Sequence, residues 1–400
     1  MKAIIIGGGI GGLSAALALQ RVGLRCEVFE QAEALREVGA GLTVWANALR
    51  ALAQLGVAQR VWSLSSRLDR FEVRTSTGRT LSRISFFNLE RKLGVPVGVV
   101  VHRAELLREL AAGLANAGPH CGARCVSIEH EADGMIARFA DGREARGDLL
   151  VGADGLHSVI RSQLQGPAKP RYAGYTCWRG MAELEVKDPP PGLSFETWGP
   201  GARFAVHHCG PGRLFWYACR NLPEGGVDSP SGRKPDVQDN FQTWHSPIPE
   251  VIEATRGADI LRNDIVDRIP LARWGQGRVT LLGDAAHPTT PNLGQGACQA
   301  IEDAVCLAAT VASGHPVETA LRRYEQTRQP RTRAITVDSW RYGRVGQWEN
   351  PLGCWLRNSL TRWVPSAVSL RLMETRVSHE LPRLSNVAGT GRSTPRTHDT

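Results

Sequence analysis

The chain has 400 residues, 42% of them hydrophobic and 22% charged, which is enough for one large or two packed domains and unlike a disordered or fibrous sequence. Its net charge of +9 comes from arginines scattered along the chain, with no basic block, which argues against nucleic acid and for an anionic cofactor or substrate. The nine cysteines include no CxxC pair and no apolar run reaches about 18 residues, so a reduced, cytoplasmic protein without a disulfide framework, metal site or spanning helix is expected.

Residues 2–30, KAIIIGGGIGGLSAALALQRVGLRCEVFE, pass from a continuous apolar run to helical spacing and back, which predicts strand, glycine turn, helix and strand. Gly7, Gly9 and Gly12 form G-x-G-x-x-G in that unit: a tight turn, a close approach for pyrophosphate, and helix-on-strand packing. The free N–H groups and dipole of the helix favour phosphate there. Glu30 closes the second strand, where an acid bonds the adenosine ribose. This unit leaves FAD and NAD(P) both open. No second fingerprint follows a later strand, so a separate NAD(P)H domain is not expected.

REVGAGLTVWANALRAL (36–52) reads as a glycine turn leading into a helix, and VHRAELLREL (101–110) as a helix opened by Arg103. GDLLVGADGLHSVIR (147–161) predicts a buried strand, a sharp turn at Asp154-Gly155 and a helix carrying Arg161; such strand ends are where doubly wound folds place ligands. Residues 172–270 hold short alternating strands, RFAVHHC and RLFWYACR among them, which predict a β-sheet. Trp45, Trp178, Arg203, Phe215, Tyr217 and Pro291 are candidate substrate-pocket residues, although aromatics alternating in strands are by default core packing. His207 and His208 adjoin in one strand, so at most one faces the pocket.

GRVTLLGDAAH ends another apolar strand in Gly-Asp, and a loop stiffened by Pro288 and Pro291 leads to the helical run GACQAIEDAVCLAATVA. Beyond residue 335, Trp355, Leu356, Ser359, Leu360 and Trp363 share one helical face flanked by arginines. The main reading is a C-terminal helix packed on the body; the other is a membrane-surface helix serving a lipophilic substrate. Residues 386–400 have the composition of a disordered tail.

Four motifs, GGGIGGLSAA with Glu30, VHRAEL, DLLVGADGLHSVIR and GDAAHPTTPNLGQGACQAIEDA, carry a resemblance over about residues 1–335. With YAGYTCWRG (172–180) and YEQTRQPR (324–331), they make the chain similar to the single-component FAD-dependent aromatic hydroxylases of the p-hydroxybenzoate hydroxylase family, in its branch of salicylate hydroxylases, urate hydroxylases and zeaxanthin epoxidases. The resemblance implies an α/β fold: a Rossmann-like FAD-binding domain at 1–171, resumed at 271–335, an inserted β-sheet substrate domain at 172–270, and a C-terminal helical region at 336–385. It implies that Glu30 binds the adenosine ribose, Arg103 the cofactor chain and Asp284 a ribityl hydroxyl. Arg36 and Thr43 are expected to approach the flavin, and Asp154 to sit in a turn associated with both FAD and NADPH. Gly7, Gly9, Gly11, Gly12, Gln31, Pro291, Gly294, Gln295, Gly296 and Ala297 complete the expected cofactor-binding set.

The implied reaction uses NADPH or NADH as a transient reductant of a tightly, non-covalently held FAD, then O2, giving a C4a-hydroperoxide that hydroxylates an aromatic or heteroaromatic small molecule. The alternatives are an epoxidase of a prenylated quinolone or polyene lipid and, more distantly, a non-catalytic binding protein on the same fold. In the urate-hydroxylase-like branch an arginine and a tyrosine support the substrate; Arg203 matches, but Phe215 stands at the tyrosine's place, which argues against urate. A monomer or homodimer is expected.

Overall fold

A computed structural model describes residues 1–35, 40–115 and 118–384; Arg36 and the 386–400 tail therefore lie outside the described residues. Four parallel strands form one sheet, in the order Val279–Leu281, Leu149–Gly152, Lys2–Ile6, Arg25–Phe29. The inner runs AIII, LLV and VTL are almost wholly buried, as strands covered on both faces require. Helices Ile10–Arg21 and Gly296–Val311 pack on each other and contribute to the same core.

Because the strands are parallel, the ends of Lys2–Ile6, Leu149–Gly152 and Val279–Leu281 lie along a single edge. The ladder continues past them, with Ala153 N donating to Ile6 O (2.7 Å) and Leu282 N to Gly152 O (2.9 Å). Three motifs far apart in the chain are thereby set side by side.

The stretch read as a glycine turn entering a helix holds a strand as well. Gly41–Trp45 pairs antiparallel with Gly98–His102, and helix Ala46–Gln54 begins only after it. The partner strand is distant in sequence, so local spacing could not reveal the pairing.

A seven-stranded sheet runs in the order Leu261–Asp267, Arg171–Glu183, Arg213–Asn221, Ala202–His208, Leu193–Gly199, Arg70–Thr75, Thr80–Ser85. Its last two strands come from well ahead of residue 172. One face packs Trp178, Phe195, Phe204 and Trp216 against helices Arg233–Phe241 and Ile248–Ala254. The other packs on the antiparallel pair Gly41–Trp45 and Gly98–His102, with the Phe215 ring so close to Gly41 that a Cβ there would stand 2.5 Å from its Cγ.

The long helix Val317–Gly346 runs unbroken past residue 335. Helices Pro351–Trp363 and Ser366–Val377 follow and lie along the outer strand Thr80–Ser85. Among the described residues no helix is long and apolar enough to cross a membrane.

Candidate active site

At the first strand end, Gly12 lies so close to Gly7 that a Cβ would stand 1.9 Å from the Gly7 carbonyl oxygen. Only glycine fits. A Cβ on Gly9, by contrast, would meet nothing within 4 Å, and no side chain caps the helix that starts there, so its N–H groups open onto free space. Gly11 packs toward Leu282, just past strand Val279–Leu281. Glu30 accepts from Gly8 N (2.7 Å) and Ala32 N (2.9 Å), using one site on each oxygen and leaving others for hydroxyl donors. Gln31 beside it is exposed. An open helix N-terminus flanked by this carboxylate fits the adenosine diphosphate half of a dinucleotide.

At the second strand end, Asp154 Oδ2 accepts from Val159 N (2.8 Å) and Ile160 N (3.3 Å), while Oδ1 is buried without a partner. Burial pushes this carboxyl up and its hydrogen bonds pull it back. An orphaned acceptor of this kind suits a hydroxyl or amide donor from a bound cofactor.

The third strand end carries Asp284, exposed to the cleft yet ringed by protein. That crowding pushes its carboxyl above the usual range, with His287 and Arg103 opposing the shift. Arg103 starts helix Arg103–Ala112 and is exposed. Further along the loop, Gly294 has a left-handed φ of 61° and presses on Trp45, whose Nε1 would lie 2.9 Å from a Cβ there. Trp45 is thus packed beneath the loop, edge-on to Phe86, with Thr43 beside it. Pro291 opens the short turn Pro291–Leu293 and is exposed; Gly296 and Ala297 begin helix Gly296–Val311. Gln295 turns its side chain into the core, where Oε1 accepts from Asn47 Nδ2 (3.0 Å) and Gln299 Nε2 (3.0 Å), so only its backbone is left for a ligand.

Strand alternation divides the pocket candidates. Arg203, Phe215 and Tyr217 share the sheet face that looks toward the loops. Trp178 does not: it is buried on the opposite face among Phe204, Trp216 and the two covering helices, a correction to its reading as a pocket residue. The two histidines separate likewise, with His207 stacked on Phe215 (5.5 Å) and His208 bonded to Pro189 O (2.7 Å). Arg203 is engaged on every side, donating to Glu196 (3.0 Å), Gln347 (2.7 Å) and Asn292 (2.7 Å). It therefore ties the sheet to the Gly283–Gly296 loop.

A family model described as FAD binding domain matches residues 1–339, across all three motif loops. The chain belongs to the FAD-dependent monooxygenases of the aromatic-hydroxylase branch. An aurachin C monooxygenase/isomerase from Stigmatella aurantiaca is 42% identical over 366 residues, covering 92% of this chain and 95% of the relative. A FAD-dependent urate hydroxylase from Klebsiella pneumoniae is 37% identical over 340 residues, 84% of this chain and 88% of that one. The crystal structure of Klebsiella pneumoniae HpxO complexed with FAD and uric acid superimposes with a TM-score of 0.89 at 32% identity, covering 94% of this chain and 97% of that one.

In this monooxygenase the Gly283–Gly296 loop is clamped by Asp303, Glu302, Arg328, Arg161 and Ser339, to which the sequence reading gave no role. Asp303 Oδ2 accepts from Gly283 N (3.1 Å) and pairs with His287 Nε2 (2.6 Å), while Arg328 bonds Asp303 (2.6 Å) and Glu302 (2.6 Å). Arg161 donates to the carbonyls of Ala285 (3.2 Å) and Ala286 (3.3 Å), and Asn292 to Ser339 O (2.9 Å). The missed signal is an acidic pair, Glu302-Asp303, inside an otherwise apolar helix, answered by Arg328 in YEQTRQPR.

Burial pushes the His207 imidazole down to about 4, with His208 adding to the shift. The unfolded chain takes up that proton near pH 6.5 and the folded monooxygenase does not, so stability falls as pH drops from 6.5 toward 4, by about 3 kcal/mol at the acid end. His207→Phe is expected to flatten this part of the melting-temperature profile; equal slopes in both proteins would refute the assignment.

Proposed function

We propose that this monooxygenase hydroxylates an aromatic or heteroaromatic small molecule, consuming NAD(P)H and O2 and releasing NAD(P)+ and water. Bound FAD would supply the redox chemistry, accepting hydride and delivering one oxygen atom by the C4a-hydroperoxide route. The observation that carries the reading is the convergence of three loops on one sheet edge, roofed by an aromatic face that bears Phe215 and Tyr217. The glycine loop and Glu30 would hold the adenosine half of the cofactor, Arg103 its phosphates and Asp284 a ribityl hydroxyl. The N-terminus of helix Gly296–Val311 would favour negative charge on the reduced ring by up to about 2 kcal/mol, since Arg328 and Arg331 offset the acids inside that helix. The aromatic face would exclude water and orient an electron-rich ring. No side-chain nucleophile is required.

Turnover of a lipophilic alkene or polyene is the second reading, favoured by the exposed tryptophan face of the C-terminal helix. Phenolic acids, purines, quinolones and polyenes, each added to the FAD-loaded protein, are expected to divide into classes. One should stimulate NAD(P)H oxidation with little peroxide released; stimulation accompanied only by stoichiometric peroxide in every class would overturn the proposal.

A further inference from the structure

The helix Pro351–Trp363 is folded inside out. Its inward side is polar: Arg357 donates to the carbonyls of Gly346 (2.8 Å) and Gly199 (3.4 Å), and Cys354 to that of Trp348 (3.1 Å). Its outward side carries Leu352, Trp355, Leu356, Leu360 and Trp363, which are 71%, 65%, 44%, 56% and 84% exposed. Val364, Val368 and Leu372 continue the apolar run into helix Ser366–Val377. A surface helix ordinarily turns its apolar side to the core, and a contiguous exposed patch marks a surface that is covered in use.

The surrounding charge indicates what covers it. Helix Pro351–Trp363 contains no acidic residue. Arg341, Arg344, Arg362 and Arg371, on this helix pair and the end of the long helix, are exposed, and none has an acidic partner among the described residues. Glu374, by contrast, is neutralised by Lys92. A two-fold contact with a second copy would bring the exposed arginines of the two copies together, with Glu349, exposed just ahead of the helix, set against four of them. An anionic lipid surface satisfies both features: tryptophan and leucine enter the boundary between headgroups and acyl chains, and the arginines meet phosphates.

We propose that helices Pro351–Trp363 and Ser366–Val377 dock this protein on an anionic membrane surface, lying in its plane without crossing it. The inference rests on these helices alone and stands apart from the reading of the reaction. The FAD-loaded full chain should co-sediment with vesicles of mixed phosphatidylglycerol and phosphatidylcholine, less with phosphatidylcholine alone, and be released by salt. The double variant Trp355→Glu, Trp363→Glu alters only exposed side chains away from the cofactor loops. It should keep its flavin spectrum and melting temperature while partitioning about tenfold or more less to the anionic vesicles. Wild-type protein that stays in the supernatant, or a variant that sediments equally, would overturn the proposal. So would a wild-type dimer that the variant dissociates without any vesicle binding, since that assigns the face to a second copy.

Discussion

Arg328→Met is expected to lower the stability of the FAD-loaded protein by about 3–5 kcal/mol and to loosen its hold on flavin. The guanidinium is 1% exposed and bonds two carboxylates, Asp303 and Glu302, that are fully buried. Burial alone would raise both carboxyls; Arg328, with His287 beside Asp303 and Arg331 beside Glu302, holds each at about 2. Methionine retains much of the length but strands the acids in a low-dielectric core, where an uncompensated charge costs far more than a lost surface pair. The damage reaches the cofactor because Asp303 also holds Gly283 and His287, the two ends of the turn that presents Asp284. Since both carboxyls are depressed in the fold, the cluster contributes fully above about pH 4 to 5 and fades as pH falls toward 2. Urea denaturation with flavin retention followed in parallel tests this. A loss below about 1 kcal/mol would mean that Arg331 and water compensate for the missing charge.

Gly12→Ala is expected to give a folded but nearly colourless protein, with FAD affinity at least about a hundredfold weaker, or about 2.7 kcal/mol. The added methyl would lie 1.9 Å from the Gly7 carbonyl oxygen, a backbone atom with no room to yield. Relief requires opening the turn, which pulls the first N–H groups of helix Ile10–Arg21 away from the open space beside Gly9. Gly9→Ala is the useful contrast. Its methyl meets no protein atom within 4 Å, so stability should hold and any loss of flavin would arise from the cofactor's own contact. Equal FAD affinity in Gly12→Ala and the parent protein would contradict the assigned role of the loop.

What the sequence revealed, and what it hid, follows from the range over which each signal acts. The glycine loop, Asp154 and Asp284 sit at strand-to-helix junctions whose period changes are local, so their positions were readable, and parallel pairing then brings the junctions together. The face of a sheet is a different matter. Alternation groups Trp178 with the residues two positions away but cannot say which parity looks inward, and the covering helices that bury it lie beyond residue 232. The same limit applies to helix Pro351–Trp363: its tryptophan face was legible, but its outward direction is set by carbonyls of Gly199 and Gly346 that receive Arg357. Arg203 was selected as a pocket residue; it lies on the sheet face toward the loops, but its engagement with Gln347 and Asn292 depends on loop and helix ends that no strand pattern predicts. The Glu302-Asp303 pair was visible as two charges in an apolar helix, and pairing them with Arg328 needed only the rule that buried charges find partners.

On the proposed function, the three loop motifs hold a flavin that transfers oxygen from O2 to an aromatic substrate. Turnover of a stimulating compound under isotopically heavy O2, with product mass as the readout, tests it most directly. The product should gain one heavy oxygen atom from O2 and none from heavy water, with no labelled product from Gly12→Ala. Oxygen drawn from water, or NAD(P)H oxidation that yields peroxide and unchanged substrate for every compound, would contradict it.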